Sequence, residues 1–194
     1  MNLQPDSALQ ASFRGTLPVT GFNSARAVLL ERADIGCVLL TAAVDGAAVI
    51  VTGSAAAGVD LPSVAGLITR ADGRTAMWLS PKSWLIRCDV EEERGLVGRI
   101  RNAFPDHLCH ATVFTDALCW FELSGPGSLE LLTEGSPISL ERNGLPVGGA
   151  KRTLVAQVAA IVVRERENGW LIAVERSRSR YFANWLSAAA ASRE

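Results

Sequence analysis

The residues most suited to chemistry form the short run His107-Leu108-Cys109-His110, which contains both histidines of the chain. Imidazole and thiolate are ligands that zinc prefers in proteins. No second ligand cluster with the spacing of a zinc site occurs, and Pro105 just before the run ends a predicted helix. The run is either half of a metal site or, as the sequence favours, a loop with solvated rings.

The rest of the sequence predicts no complete active site. Asp116 and Glu122 lie near a predicted strand, but neither has a visible acidic partner for proton transfer. Ser124 stands in Leu-Ser-Gly-Pro and not in the G-x-S-x-G pattern of a nucleophilic serine. Glycine-rich patterns that bind nucleotide phosphates do not occur either. We therefore expect no active site in this chain, although it could still serve within an enzyme complex.

Cationic residues crowd the start of the last predicted helix, which begins near Ser177 or Ser179. Positive charge there opposes the positive end of the helix dipole, and departures from a local preference often mark functional sites. The candidate contacts to a partner's carboxylates or to an anionic ligand are Lys151, Arg152, Arg176, Arg178 and Arg180. The competing interpretation is that these cations are solvated or pair within the chain with Glu165, Glu167 and Glu175.

Composition excludes several classes of protein. The 194 residues suffice for one large domain or for two small halves. The 19 Lys and Arg residues balance 20 Asp and Glu, which argues against nucleic-acid binding. No apolar run is long enough to cross a membrane, and the polar stretch from Met1 to Gln10 does not resemble a signal peptide. The four cysteines form no C-x-x-C pair, so we expect reduced thiols in a cytoplasmic protein.

The spacing of apolar residues predicts an α+β protein with antiparallel sheets in two related halves. Residues 1–23 have little periodicity and are predicted to form an extended arm, available for packing on a partner. The first half is predicted over 24–110 and the second over 111–194, together forming one compact unit. The tripeptide Trp-Leu-Ile relates the halves, because it occurs at 84–86 and at 170–172, each time before an amphipathic helix.

Short apolar runs bounded by turn signals predict the strands. In the first half they are 27–31, 35–40, 49–51, 66–69, 75–79 and 84–88, with hairpin turns at Asp45-Gly46 and Asp72-Gly73. Residues 53–58 are predicted to be a loop of Ala, Gly and Ser. In the second half, 154–163 is predicted to be one long strand, and Asn168-Gly169 is the turn that follows it.

Helices are predicted after both Trp-Leu-Ile strands. Asp89 and Glu92 have the spacing of a capping box at the start of the first helix. Its apolar face contains Leu96, Val97, Ile100 and Phe104, and that of the second helix contains Tyr181, Phe182, Trp185, Leu186 and Ala189.

A further, short helix is predicted after Leu123. Pro126 suits its first position, and Ser124 or Gly125 can cap it. Gly135 suits the left-handed residue that ends such a helix.

Four segments together resemble the gamma subunits of heterotetrameric sarcosine oxidase. They are LSPKSWLI at 79–86; TDA at 115–117 leading into FELSGPG at 121–127; KRTLVAQ at 151–157; and VERS at 174–177 running into RYFANWL at 180–186. The Leu-Ser-Gly-Pro element is also similar to one in the tetrahydrofolate-dependent aminomethyltransferases of the glycine cleavage system. That likeness implies a shortened form of the aminomethyltransferase fold.

The resemblance implies a non-catalytic accessory subunit in a complex of alpha, beta, gamma and delta chains. Such a complex oxidatively demethylates sarcosine to glycine, produces hydrogen peroxide and passes the one-carbon unit to tetrahydrofolate. The resemblance further implies that this chain holds no cofactor and binds chiefly the alpha subunit. FAD, FMN and NAD would lie on the larger chains and zinc on the delta chain. The alternative is a free-standing folate-binding module of the aminomethyltransferase superfamily.

Overall fold

The computed structural model describes residues 7–9, 20–24, 26–43, 47–106 and 108–192. The strands within them are β1 (Thr20–Asn23), β2 (Val28–Arg32), β3 (Ile35–Ala42), β4 (Ile68–Ala71), β5 (Arg74–Ser80), β6 (Ser83–Asp89), β7 (Cys109–Val113), β8 (Leu118–Ser124), β9 (Ala150–Val155), β10 (Val158–Arg166) and β11 (Gly169–Glu175). The helices are α1 (Ala47–Ala57), α2 (Glu93–Ala103), α3 (Ser128–Gly135) and α4 (Ser179–Ala191). No helix in these residues is long and apolar enough to cross a membrane.

The chain divides into two compact units. Unit 1 consists of Met1–Ala33 with Ala117–Glu194, and unit 2 is Asp34–Asp116. These bounds differ from the predicted divisions at 1–23, 24–110 and 111–194, because the strand pairing does not follow the chain order. Strand β2 pairs with β8 in unit 1, and β7 pairs with β3 in unit 2. Of the predicted arm, residues 7–9 and β1 are described and the others lie outside the described residues.

The two units repeat one strand arrangement. The sheet of unit 2 has the order β4-β5-β6-β3-β7, and that of unit 1 has the order β9-β10-β11-β8-β2-β1. All pairs are antiparallel, and Trp84 stands opposite Leu40 as Trp170 stands opposite Leu123. The predicted α+β class, with antiparallel sheets in two related halves, is confirmed.

Each repeated tryptophan is buried in its own core, with its indole N–H satisfied. Trp84 Nε1 donates to the Pro62 carbonyl at 2.8 Å, and Trp170 Nε1 donates to Ser128 Oγ at 3.0 Å. A buried donor without a partner would cost about 1–3 kcal/mol, so these bonds fix where the two rings can lie.

The amphipathic helices bury the faces that their spacing predicts. Leu96, Val97, Ile100 and Phe104 all lie in the core of unit 2. In α4, Phe182, Leu186 and Ala189 are buried in unit 1, Trp185 is half-buried and Tyr181 is exposed. The capping prediction was wrong, because Asp89 ends β6 and makes no side-chain cap hydrogen bond. A 3₁₀ turn, Val90–Glu92, comes between β6 and α2.

Helix α1 replaces the predicted strand at 49–51 and the predicted loop at 53–58. Its buried residues, Val49, Gly53 and Ala57, lie four apart and form one helical stripe. At Gly53 the helix packs closely on Leu61, since a Cβ there would lie 2.7 Å from Leu61 Cδ1 and the leucine side chain would have to shift. The run Val-Ile-Val favours a strand locally, but burial of this small-residue stripe outweighs that preference. The predicted turn at 45–46 lies outside the described residues.

The predicted long strand over 154–163 is instead the β9–β10 hairpin. Its two-residue turn, Ala156-Gln157, has φ values of 53° and 63°, a left-handed conformation usually taken by Gly, Asn or Asp. The Ala156 N–H donates to the Gly135 carbonyl at 2.9 Å, which holds the turn against the end of α3. This contact outweighs the preference of Ala and Gln for other backbone conformations. Because the turn contains no Gly, Asn or Asp, the sequence gives no signal for it.

The element after Leu123 is a junction between strands and not a helix cap. Ser124 ends β8, and α3 begins only at Ser128. Gly125 has a φ of 112°, and a Cβ there would lie 2.5 Å from the Arg26 carbonyl oxygen. The Gly125 N–H donates to the Asn168 carbonyl and the Gly127 N–H to the Arg26 carbonyl. The segment therefore ties the start of β2 to the β10–β11 turn.

Replacing Gln157 by Gly should stabilise unit 1. Glycine adopts the left-handed conformation without the penalty that other residues carry, and this gain exceeds the extra chain entropy it loses. We expect the free energy of unfolding to rise by roughly 0.5–1 kcal/mol, measured by urea denaturation. The matched variant Gln157→Ala keeps a Cβ and should give no such gain; equal stability of the Gly and Ala variants would contradict the prediction.

Candidate interaction site

The five predicted cationic residues do not share one surface. Lys151 and Arg152 are neighbours on β9, an edge strand of the unit 1 sheet. Lys151 stands opposite Val162, which belongs to the core of unit 1, whereas Arg152 stands opposite Ile161. Because side chains alternate along a strand, Lys151 and Arg152 lie on opposite faces of the sheet. Of these two residues, only Lys151 lies on the face of the sheet against which α4 packs.

The three arginines near α4 lie at its start, as the sequence predicts. Arg176 and Arg178 belong to a 3₁₀ turn, Arg176–Arg178, and Arg180 is the second residue of α4. The first turn of α4 contains no acidic residue, and Arg178 and Arg180 are exposed. Glu167, one of the predicted intrachain partners, pairs with Arg142 at 3.6 Å and Arg164 at 3.2 Å.

Arg164 is a buried cation that the sequence analysis missed. Its guanidinium donates to the Leu140 and Leu145 carbonyls and lies 4.9 Å from the centre of the Trp170 ring. These contacts hold the connection between α3 and β9 against the core of unit 1. A sequence signal was present, because Arg164 follows the buried Ala160 and Val162 at alternate positions of the strand, but its partner carbonyls lie about twenty residues away.

A buried acid, Glu31, is the second group that the sequence analysis missed. It is only 3% exposed, and its carboxylate accepts hydrogen bonds from Ser7 Oγ, from the Ala8 N–H at 2.8 Å and from Cys119 Sγ at 3.5 Å. The sequence did carry a signal for this burial. Glu31 lies on the same face of a predicted strand as Ala27 and Leu29, which are both buried.

Three of the buried thiols, those of Cys88, Cys109 and Cys119, have a raised pKa, which favours their protonated form. Burial, and then the negative charges of Glu93 and Glu92, raise the pKa of Cys88 to about 11. Burial raises the pKa of Cys109, with a smaller contribution from Asp106, and burial together with Glu31 raises that of Cys119. Thiols of this kind are poor nucleophiles, because the thiolate is the reactive form.

The His-Leu-Cys-His run is not assembled into a metal centre in the part of the chain that the structure describes. Cys109 is buried on β7 and His110, its neighbour on the strand, is exposed, while His107 lies outside the described residues. Across the described ranges, no group of three His, Cys, Asp or Glu side chains is placed to hold a metal ion.

Unit 2 presents an apolar surface around α1. The helix has no charged residue, and Val51 on its outer side is 68% exposed. Val64 and Leu67 in the following loop are 55% and 52% exposed. A groove of about 610 Å³ adjoins Val51 and is lined by residues of α1, of the connection that follows it and of β4, among them Ile50 and the charged Asp60 and Arg70. An exposed apolar helix face is typical of an interaction site.

Comparison with known proteins identifies the family. The model of the sarcosine oxidase, gamma subunit family matches residues 41–192. The chain belongs to this family. Among curated proteins, it is 25% identical over 162 residues to the sarcosine oxidase subunit gamma of Corynebacterium sp. (strain U-96), covering 83% of this chain and 78% of the relative. It is 26% identical over 165 residues to that of Arthrobacter sp., covering 84% and 80%.

Solved structures show the same fold. A chain of the heterotetrameric sarcosine oxidase from Corynebacterium sp. U-96, in complex with pyrrole 2-carboxylate, is similar with a TM-score of 0.80 and 24% identity over 88% of this chain and 87% of that one. The glycine cleavage system aminomethyltransferase T from Bartonella henselae gives a TM-score of 0.62 and 15% identity, covering 84% of this chain and 45% of that one. The expected likeness to a shortened aminomethyltransferase fold is confirmed.

The segments that carry the resemblance to gamma subunits lie at turns and at connections between strands and helices. LSPKSWLI includes the β5–β6 turn, FELSGPG leads from β8 toward α3, and KRTLVAQ covers β9 with its left-handed turn. VERS with RYFANWL leads from β11 into α4. These segments therefore form hairpins and strand-to-helix connections in this chain.

The pH dependence of unfolding tests the environment of Cys88. Its pKa is higher in the folded chain than the ordinary value of 9.0, so the folded state holds the proton longer. The contribution of this proton to the free energy of unfolding is present below pH 9 and is lost as the pH rises toward 11. Between pH 8 and pH 10, urea denaturation should show a steeper loss of stability in the wild type than in Cys88→Ala. An equal loss of stability with pH in the wild type and in Cys88→Ala would contradict a raised pKa at Cys88.

Proposed function

We propose that this chain is a non-catalytic accessory subunit of a heterotetrameric sarcosine oxidase, bound chiefly to the alpha chain. The observation that carries the proposal is the uncharged outer surface of α1, with Val51 more than two-thirds exposed. Membership of the gamma subunit family, and the likeness to a chain of a heterotetrameric complex, support an assembly of several chains. In such an assembly a partner chain would cover this surface.

The physical argument for a partner rests on the cost of leaving apolar side chains in water. Burial releases roughly 25 cal/mol for each Å² of apolar surface removed from solvent. Val51, Val64 and Leu67 keep much of their surface exposed in this chain, and α1 adds no charge that would oppose apolar contact. A partner face of matching apolar character gains this free energy over α1 itself, while the exposed Asp60 and Arg70 in the adjoining groove have to stay solvated or meet polar groups.

The proposed assembly performs the chemistry outside this chain. It would oxidise sarcosine to glycine, produce hydrogen peroxide and transfer the one-carbon unit to tetrahydrofolate. FAD, FMN and NAD would be held by the larger chains and zinc by the delta chain. The four free, buried thiols suit the reducing cytoplasm, where we place the assembly.

The exposed arginines at the start of α4 offer a second, polar contact in this proposal. Arg178 and Arg180 add positive charge where the helix dipole is already positive, which makes an acidic partner surface favourable there. Arg176, in the same 3₁₀ turn as Arg178, would extend this positive character, whereas Lys151 and Arg152 lie on opposite faces of β9 and are not part of the contact.

Charge introduced on α1 should disrupt assembly without unfolding the chain. Val51→Glu places a carboxylate on an exposed position, so we expect stability to change by less than about 0.5 kcal/mol. Co-purification of a flavin-containing chain with affinity-tagged Val51→Glu from its native cells should fall at least about tenfold below wild type. Gln157→Glu adds the same charge on an exposed hairpin turn and should leave recovery unchanged. Undiminished recovery with Val51→Glu would contradict the role of α1.

The same tagged chain separates the accessory role from the alternative of a folate-binding module. Recovery of a large flavin-containing chain supports the accessory subunit. Recovery of this chain alone, together with saturable binding of tetrahydrofolate in a titration, would support the stand-alone module and contradict our proposal.

Reversal of charge at Arg178 and Arg180 tests the polar contact. The double variant Arg178→Glu, Arg180→Glu should keep its fold, since both side chains are exposed and acids suit the start of a helix. We expect the flavin-containing chain to be recovered with lower yield, and the wild-type yield to fall as salt is raised. Equal yields for the variant and wild type at low salt would show that these arginines make no partner contact.

A further inference from the structure

Residues 7–9 cover a buried acid in unit 1. The Ser7 hydroxyl donates to Oε2 of Glu31, and the Ala8 N–H donates to Oε1 at 2.8 Å. The Leu9 N–H donates to Ser7 Oγ at 3.0 Å, which closes the three residues into a compact turn. One carboxylate therefore anchors the segment through both of its oxygens.

Behind this anchor lies the Cys119 thiol. Glu31 stands opposite Phe121 in the β2–β8 pair, so its side chain is on the core face of the sheet. Cys119 lies on the same strand as Phe121, is 4% exposed, and donates to Oε1 of Glu31 at 3.5 Å. Leu9 is packed in the same core.

The attachment of residues 7–9 differs from that of the strands behind them. The amides of Ala8 and Leu9 both donate to side-chain oxygens, those of Glu31 and Ser7, and none of the three residues pairs with a strand. Cys119, by contrast, is part of the continuous β8–β11 pairing, opposite Val174. Departure of residues 7–9 therefore breaks no sheet hydrogen bond; it withdraws Leu9 from the core, which is a smaller loss of contact than removal of a core strand.

We propose that residues 7–9 form a strap, anchored on Glu31, which opens without unfolding of unit 1 and controls access of solvent to Cys119. When the strap is closed, the thiol is shielded and hydrogen-bonded. When it is open, the thiol and the Glu31 carboxylate face solvent together. The strap is thus a conformational device that sets the exposure of one thiol.

Thiol labelling of the folded full-length chain tests the strap. A small maleimide is added without denaturant and at low urea, and peptide mass spectrometry follows the labelling of each cysteine separately. Cys119 should be labelled faster than Cys37, a fully buried cysteine of unit 2, and its rate should depend only weakly on urea. Equal rates with the same urea dependence for the two thiols would overturn the proposal, because both would then require unfolding.

Two variants distinguish loss of the Glu31 hydrogen bonds from general destabilisation of the chain. Glu31→Gln removes the charge that strengthens the Ser7 and Ala8 hydrogen bonds, so the labelling of Cys119 should accelerate by about tenfold or more. Glu122→Gln, which instead removes the partner of Arg32 and Arg166 in the same sheet, should leave the Cys119 rate unchanged. Acceleration of every cysteine by Glu31→Gln would overturn the proposal.

Hydrogen exchange of the unmodified chain decides the question even where Glu31→Gln fails to fold. Peptides that contain residues 7–9 should exchange well before those of β8 and β11. Exchange of residues 7–9 together with β8 and β11 would show that the strap opens only on unfolding, which is contrary to the proposal.

Discussion

The pairing of central strands, β3 with β6 and β8 with β11, is the interaction on which the rest of each unit depends. It sets Trp84 opposite Leu40 and Trp170 opposite Leu123. A shift of one residue would turn either tryptophan to the other face of its sheet and leave its indole N–H without its acceptor. The helices that follow these strands then have a fixed surface to cover, and each unit forms its core beneath α2 or α4.

The sequence predicted those parts of the fold in which local preference and tertiary structure agree. The apolar runs around Trp84 and Trp170, the Asp72-Gly73 turn and the apolar faces of α2 and α4 are of this kind. Helix α1 was missed because its Val-Ile-Val run favours a strand, and its small buried stripe becomes meaningful only when Leu61 packs on Gly53. The Ala156-Gln157 turn was missed because its left-handed residues are held by a distant carbonyl, that of Gly135.

The candidate site was predictable to a smaller extent. The three arginines at the start of α4 lie where the sequence predicts them, because helix position follows from local spacing. The alternation of β9 separates Lys151 from Arg152, a consequence of strand geometry that residue type alone does not reveal. The burial of Arg164 and Glu31 depends on partners far along the chain, so their roles follow only from the fold. Packing, pairing or surface charge accounts for each of these positions.

Our central claim is that this member of the gamma subunit family acts through contact with a partner chain, made by the apolar surface of α1. An electron cryo-microscopy structure of the assembly purified from native cells tests it most directly. We predict that Val51, 68% exposed in the single chain, is buried against a flavin-containing chain. A structure in which this chain is bound while the outer side of α1 remains in solvent would contradict the claim.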